Sequence, residues 1–224
     1  SRLYSELSVI LSEELREPAV YSTILSALAN NCNKLNDIYR HTGFSRAKIS
    51  VYLKNLMELD LVEKVYSYET DSYSDTQKGV YRITNPYVRF YYRFLFPNMS
   101  LLQRITPQEF YEQELEDRMP AYIEEAYRKI CRESIRETAS YIGEWLGKSC
   151  SLDVVAKGTN GQMIVANCSY CRQMTMEDYE WLRFCIKKAK IASPKLYLYC
   201  EKGFSAELMK LSATGDVELI RIFK

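Results

Sequence analysis

Residues 35–66, LNDIYRHTGFSRAKISVYLKNLMELDLVEKVY, decide the fold of the first half of the chain. Leu35, Ile38 and Tyr39 recur at helical spacing, and the run stops at Thr42-Gly43, where glycine can take the positive φ that closes a helix. Phe44 is placed to plug the turn. Ser45 has the side chain of an N-cap, and Ile49, Leu53, Leu56 and Leu59 behind it form one apolar stripe. Residues 61–66 are rich in β-branched and aromatic side chains, as are residues 80–84, so two strands are expected, joined by the polar segment 67–79. Upstream, Glu17-Pro18 puts proline at a first helical position, and Tyr21, Ile24, Leu25 and Leu28 continue at helical spacing as far as Asn30-Asn31. Three helices followed by a hairpin make a winged helix-turn-helix.

The rest of the chain has a different rhythm. After Asn85-Pro86 comes the aromatic run 87–96, YVRFYYRFLF, closed by Pro97-Asn98, and a helix of this kind is expected to be buried between two domains. Thr106-Pro107 starts a new helix, and a longer one is expected over residues 120–139 with Ile123, Tyr127, Ile130 and Cys131 inward. Residues 151–157 and 163–170 are expected strands joined by the turn Asn160-Gly161. Helix 176–192, strand 195–200, helix 205–213 and strand 217–222 follow, which gives an α-β-β-α-β-α-β order and an α/β layered domain. The division predicted is residues 1–97, winged helix with its aromatic linker, and residues 98–224, the α/β domain.

Hydrophobic residues at 47% and charged residues at 26% describe a chain that can bury a sizeable core, and its 224 residues suit two domains. A net charge of +1 offers no general basic field, so a nucleic-acid partner must be met by a local patch. The seven cysteines are single and irregularly spaced, which points to reduced thiols and a cytoplasmic location, not a disulfide framework. No apolar run reaches the roughly 18 residues of a membrane span. The start, Ser1-Arg2-Leu3-Tyr4, has no signal-peptide core and no initiator methionine, which suggests either an excised fragment or a processed tag.

The local patch is the third helix. Recognition helices offer their outward N-terminal side chains to the major groove, and Arg46, Lys48, Ser50, Lys54 and Asn55 are the candidates here. From Ser45 to Asn55 there are three basic residues and no acid. The wing argues the other way, since Glu69, Asp71 and Asp75 oppose the single Lys78. Winged helices also serve as protein-docking modules, so double-stranded DNA and a protein partner both stand as readings.

Two motifs imitate chemistry. Gly143-Glu-Trp-Leu-Gly-Lys148-Ser149 has three residues between its glycines where a phosphate loop needs four, and it precedes a strand, so it is read as a tight turn. Cys168-Ser169-Tyr170-Cys171 has metal spacing but no second pair, and the only histidine, His41, lies in the other domain, where it is read as capping helix two. Neither a cofactor nor a metal is expected, and no complete catalytic site is found.

Several short runs in one order carry a family resemblance: Glu14-Leu-Arg-Glu-Pro18 into Tyr21-Ser-Thr-Ile-Leu-Ser-Ala-Leu-Ala29, then Tyr52-Leu-Lys-Asn-Leu56, then Tyr81-Arg-Ile-Thr-Asn-Pro-Tyr-Val-Arg-Phe90. On these the chain resembles the C-terminal region of the archaeal-type ATPase family, in which a P-loop ATPase domain precedes a winged helix and a restriction-endonuclease-like domain. The resemblance implies that the ATPase domain is an upstream partner outside this chain. It also implies a nuclease site, with a Glu-x-Asp on one strand and a Glu-Cys-Lys on the next. The matching positions here are Ser151-Leu152-Asp153 and Asn167-Cys168-Ser169. Asp153 is kept, while Asn167 replaces a metal-binding carboxylate and Ser169 a lysine, so the resemblance implies a degenerate site.

The first reading is therefore a non-catalytic, DNA-binding regulatory region of an ATPase. A metal-dependent nuclease would need a displaced acid from Glu124, Glu125, Glu177 or Glu180. A third reading is an interaction or homo-oligomerisation platform in which Tyr87, Tyr91 and Phe94 pack against the nuclease-like fold.

Overall fold

Local capping chemistry sets the first three helices of the computed structural model, which describes residues 17–68 and 79–223. Helix α1 (Pro18–Ala29) opens on its proline, α2 (Leu35–Thr42) closes on Gly43 at φ 71°, and Ser45 accepts a hydrogen bond from the Lys48 amide to cap α3 (Arg46–Glu58). Strands β1 (Val62–Val65) and β2 (Val80–Ile83) pair antiparallel, with Val62 opposite Ile83. This is the expected winged helix-turn-helix. The wing residues Glu69, Asp71, Asp75 and Lys78 lie outside the described residues. Its core joins Ile24, Leu25, Ile38, Ile49, Leu53 and Leu56, all at 0% exposure. Truncating a leucine so enclosed to alanine costs about 2–5 kcal/mol. Leu59, expected on this stripe, is exposed, because the helix ends at Glu58.

The aromatic run does not behave as a linker. Asn85 caps α4 (Pro86–Phe90) by accepting from the Tyr87 and Val88 amides, and the helix widens into a π turn over Tyr91–Leu95. Tyr91, Tyr92 and Leu95 enter the core of the winged helix itself, and the Tyr92 and Ser22 hydroxyls hydrogen-bond at 3.1 Å. Helices α5 (Met99–Leu102) and α6 (Pro107–Phe110) follow, the second opened by a Thr106–Glu109 capping box. Leu101, Leu102, Ile105, Phe110 and Leu115 also pack on this core. The chain consequently divides between Glu116 and Asp117, not at the expected residue 97, and residues 66–68 belong to the second unit.

The second unit is a three-layer sandwich. Its sheet has the order β3-β4-β5-β6-β7, formed by Ala139–Leu146, Ser151–Gly158, Met163–Ser169, Lys195–Cys200 and Glu218–Ile220. The first three strands are antiparallel, and β5, β6 and β7 run parallel. Helix α7 (Met119–Ser134) sends Tyr127 and Cys131 to one face, and α8 (Met176–Ala189) with α9 (Ala206–Ser212) covers the other through Leu182, Cys185 and Leu208. Asn160-Gly161 makes the β4–β5 turn as expected, with Gly161 at φ 82°.

Strand β3 is the element the periodicity did not announce. The expected helix 120–139 stops at Ser134, and the expected turn 143–149 is strand as far as Leu146, with only Gly147 to Ser149 turning. Pairing with β4 supplies the missing order, and Ser67 adds a short parallel bridge to Glu144. Ile130, expected inward on α7, is exposed, and Tyr122 takes a buried place instead.

Candidate nucleic-acid interface and sheet-domain cleft

Helix α3 separates the predicted residues into two groups. Ala47, Ser50, Val51 and Lys54 form its outward strip, with Arg46 exposed at the N-terminal edge. Arg46 is held in place: its Nε donates to Asn36 Oδ1 at 2.8 Å, and its guanidinium lies 4.3 Å from the Tyr39 ring centroid. A side chain already fixed loses less entropy when it meets a phosphate. Lys54 reaches Glu58 at 3.7 Å, but both are well exposed and such a pair is worth little.

Lys48 and Asn55 turn away from the strip. The Lys48 ammonium rests 5.0 Å from the Phe44 ring and 5.6 Å from Tyr52. Asn55 donates to the Tyr21 hydroxyl at 2.7 Å and so ties α3 to α1. Val51, which sequence reasoning passed over, is 58% exposed near the middle of the strip. Its signal was its place between the core positions 49 and 53.

In the second unit Asp153, Asn167 and Ser169 do converge. They line one cleft of about 230 Å³ together with Glu124, Arg128, Arg172, Asp178 and Trp181. A β-bulge places Asp153: between the pairs Gly143–Val155 and Trp145–Leu152, Asp153 and Val154 stand opposite the single residue Glu144. The backbone ladder between β4 and β5 ends at Val154–Ala166. Beyond it the side chains take over, as Asn167 Oδ1 accepts from the Asp153 amide at 3.4 Å and Asp153 Oδ2 from the Cys168 amide at 2.9 Å.

Each acid of the cleft has protein partners. Arg128 Nε lies 3.2 Å from Asp153 Oδ1, and Arg132 donates to the Asp153 carbonyl at 2.8 Å while pairing with buried Glu144 at 3.7 Å. Burial raises the Asp153 carboxyl above its ordinary range, and the Arg128 charge and the Cys168 amide pull against that. Glu124 Oε1 accepts from the Tyr170 amide at 3.0 Å and the Cys171 amide at 2.9 Å, with the Ser169 hydroxyl at 3.4 Å. Asp178 accepts from the Thr175 amide and both terminal nitrogens of Arg172. Although burial raises its carboxyl, those bonds prevail and hold it below the usual value.

Such a donor set does not fit the divalent cation of a nuclease site, which takes about six oxygen ligands with several carboxylate oxygens turned to the metal. Asp153 faces a guanidinium, Asn167 spends its oxygen on an amide, and Glu124 is turned into the backbone after β5. Glu125, Glu177 and Glu180 do not line the cleft. The Cys168 thiol is pushed well up by burial, by its hydrogen bond with Cys131 and by Asp153, which disfavours a thiolate ligand. Among the described residues no three of His, Cys, Asp and Glu gather as a metal site. Helix α2 is closed by Gly43, and His41 sits in its last turn. None of Arg128, Arg172 and Trp181 was legible as a site residue, because each reaches the cleft from outside the strand motif.

Comparison with known proteins finds two family models. Residues 22–64 are similar to the bacterial regulatory proteins of the arsR family, and residues 91–180 to a family described as archaea bacterial proteins of unknown function. An uncharacterized protein of Methanocaldococcus jannaschii, MJECL04, is 28% identical over 169 residues, which are 71% of this chain and 37% of that protein. The chain thus spans little more than a third of that relative's length. Among solved structures, protein VC1899 from Vibrio cholerae aligns over 99% of this chain and 53% of its own, at 14% identity and a TM-score of 0.31, too low to argue from. Among the described residues no helix is long and apolar enough to cross a membrane.

Proposed function

We propose that this chain is the DNA-binding, regulatory part of a longer protein of the archaeal-type ATPase family, with α3 as the contact surface and the sheet domain as a non-catalytic scaffold. The observation that carries the reading is the outward strip of α3, bounded by the pre-oriented Arg46 and by Lys54. Similarity of residues 22–64 to arsR-family regulators supports it. The ATPase connection rests on the resemblance of the short runs between Glu14 and Phe90, and the greater length of the archaeal relative is compatible with it. The scaffold role is supported by the cleft, whose acids are satisfied by arginines and backbone amides.

Fluorescence anisotropy with a labelled random-sequence duplex, measured across a salt series, tests the DNA reading. Each lost phosphate contact lowers the slope of log K against log salt by about 0.9, so Arg46→Ala with Lys54→Ala should flatten it by about 2. Lys48→Ala should change the slope far less, since its ammonium is turned onto Phe44 and Tyr52. Unchanged affinity and slope in a folded double variant would sink the reading.

A further inference from the structure

The outward face of α8 has an order of side chains that matches its own reverse. Along this helix the exposed positions are Glu177, Glu180, Trp181, Arg183, Phe184, Lys187 and Lys188, acidic at the start, aromatic in the middle and basic at the end, with Arg183 at the edge of the aromatic part and over the Tyr179 ring. Trp181 and Phe184 are 48% and 42% exposed, and their rings stack at 5.4 Å with an interplanar angle of 24°. The Lys188 ammonium lies 5.4 Å from the Phe184 ring. A charge gradient of this sign suits the helix dipole by itself, but the dipole does not account for two large stacked rings left in water at its centre.

We propose that this face is a homodimer interface, in which α8 packs antiparallel against α8 of a second copy about a two-fold axis between Trp181 and Phe184. In an antiparallel pair, positions whose numbers share one sum face each other. Glu177 then meets Lys188 of the second copy, and Trp181 meets Phe184. Glu180 and Lys187, whose numbers sum to two more, meet at the flank of this seam. A two-fold interface must be self-complementary, and every attractive pair occurs twice. Charge complementarity selects a second copy over a uniformly charged partner, which would be repelled by one end of the strip. A 14-residue helix is about 21 Å long and covers less than the roughly 800 Å² per partner of a standard interface, so the association is micromolar.

Sedimentation velocity on the whole chain, from about 5 to about 500 µM, the range in which so small an interface associates, reads the equilibrium directly. The unaltered chain should dimerise within that range, and Trp181→Ala with Phe184→Ala should stay monomeric. Glu177→Lys alone and Lys188→Glu alone should each weaken the dimer about tenfold, because each turns two attractive pairs repulsive. Mixing these two variants should restore dimerisation, since Lys at 177 then faces Glu at 188 and the reverse, while circular dichroism confirms that each is folded. A chain that stays monomeric to the highest concentration overturns the proposal. So does a dimer indifferent to the charge variants, or a mixture that fails to recover.

Discussion

Asp153 is held between opposing influences that pH can separate. Burial favours its neutral form, while Arg128, the Cys168 amide and Arg132 favour the carboxylate, and the balance lies above the ordinary aspartate value of 3.8. A carboxyl raised in the folded state keeps its proton more tightly there than in the unfolded chain. Its contribution is therefore best below 3.8 and is lost as pH climbs through the folded value. Asp178 runs the other way, with a contribution present above 3.8 and lost as pH falls through its lower folded value. Removing the Arg128 charge with Arg128→Met should push Asp153 further up and carry the loss to higher pH. The expected cost at neutral pH is about 1–2 kcal/mol, below the roughly 3–5 of a fully buried pair, because the Arg128 side chain is 44% exposed. Urea unfolding between about pH 4 and 8 measures it, and Asp153→Asn in the same background should abolish the extra loss. Parallel stability curves for the parent and Arg128→Met would contradict this account. That Asp153, Asn167 and Ser169 belong to one site was implied by the resemblance of their two strands to a nuclease motif. That Arg128 answers Asp153 was not, since nothing local says which turn of a distant helix will cross a strand.

At the scale of elements, the parts read correctly are those whose order is local. Ser45, Gly43, Asn85 and Thr106 announce helix ends through hydrogen bonds within a few residues, and the Asn160-Gly161 turn announces its hairpin. Strand β3 has no such mark. It includes Gly143 and a bulge, leaves Tyr141 exposed, and takes its conformation from β4 on one side and the Ser67 bridge on the other. Its exit is tightly built: the Gly147 amide donates to the Cys150 carbonyl at 3.0 Å, and a Cβ at position 147 would stand 2.7 Å from that oxygen and against the Trp145 ring. Gly147→Ala should therefore cost about 1–3 kcal/mol through overpacking. Lys148→Ala, at an exposed position, should stay within about 0.5 kcal/mol. Thermal melts of the two variants check the contrast. A neutral Gly147→Ala would show that the turn can relax, and a destabilised Lys148→Ala would reveal a role for the lysine that the turn geometry does not supply.

For the whole molecule, a winged helix followed by a sheet domain was legible, while the division between them was not. Pro97-Asn98 looks like a boundary because it ends an aromatic helix, yet residues 99–115 return apolar side chains to the first core. Residues 66–68 join the second unit because Ser67 bridges to Glu144 and accepts from the Leu146 amide at 2.8 Å. Pairings across some 80 residues are invisible to periodicity. Both tryptophans, Trp145 and Trp181, fall in the second unit, so their fluorescence follows its unfolding. This permits a test of the scaffold role that does not depend on detecting a reaction. A cation that binds the native state stabilises it by RT ln(1 + [L]/Kd), and a site of about 50 µM affinity would add about 2.7 kcal/mol at 5 mM, enough to raise the melting temperature by several degrees. In the cleft a cation would first have to displace Arg128 from Asp153, or lift Glu124 from the Tyr170 and Cys171 amides, and each exchange deprives a donor of its acceptor. Mn²⁺ titrated to about 5 mM should therefore move the fluorescence melt by no more than about 1 °C, with plasmid and single-stranded DNA left intact in parallel assays. A rise of several degrees together with cleavage, both lost in Asp153→Asn, would mean that the acids had rearranged around a metal, and a nuclease would replace the scaffold.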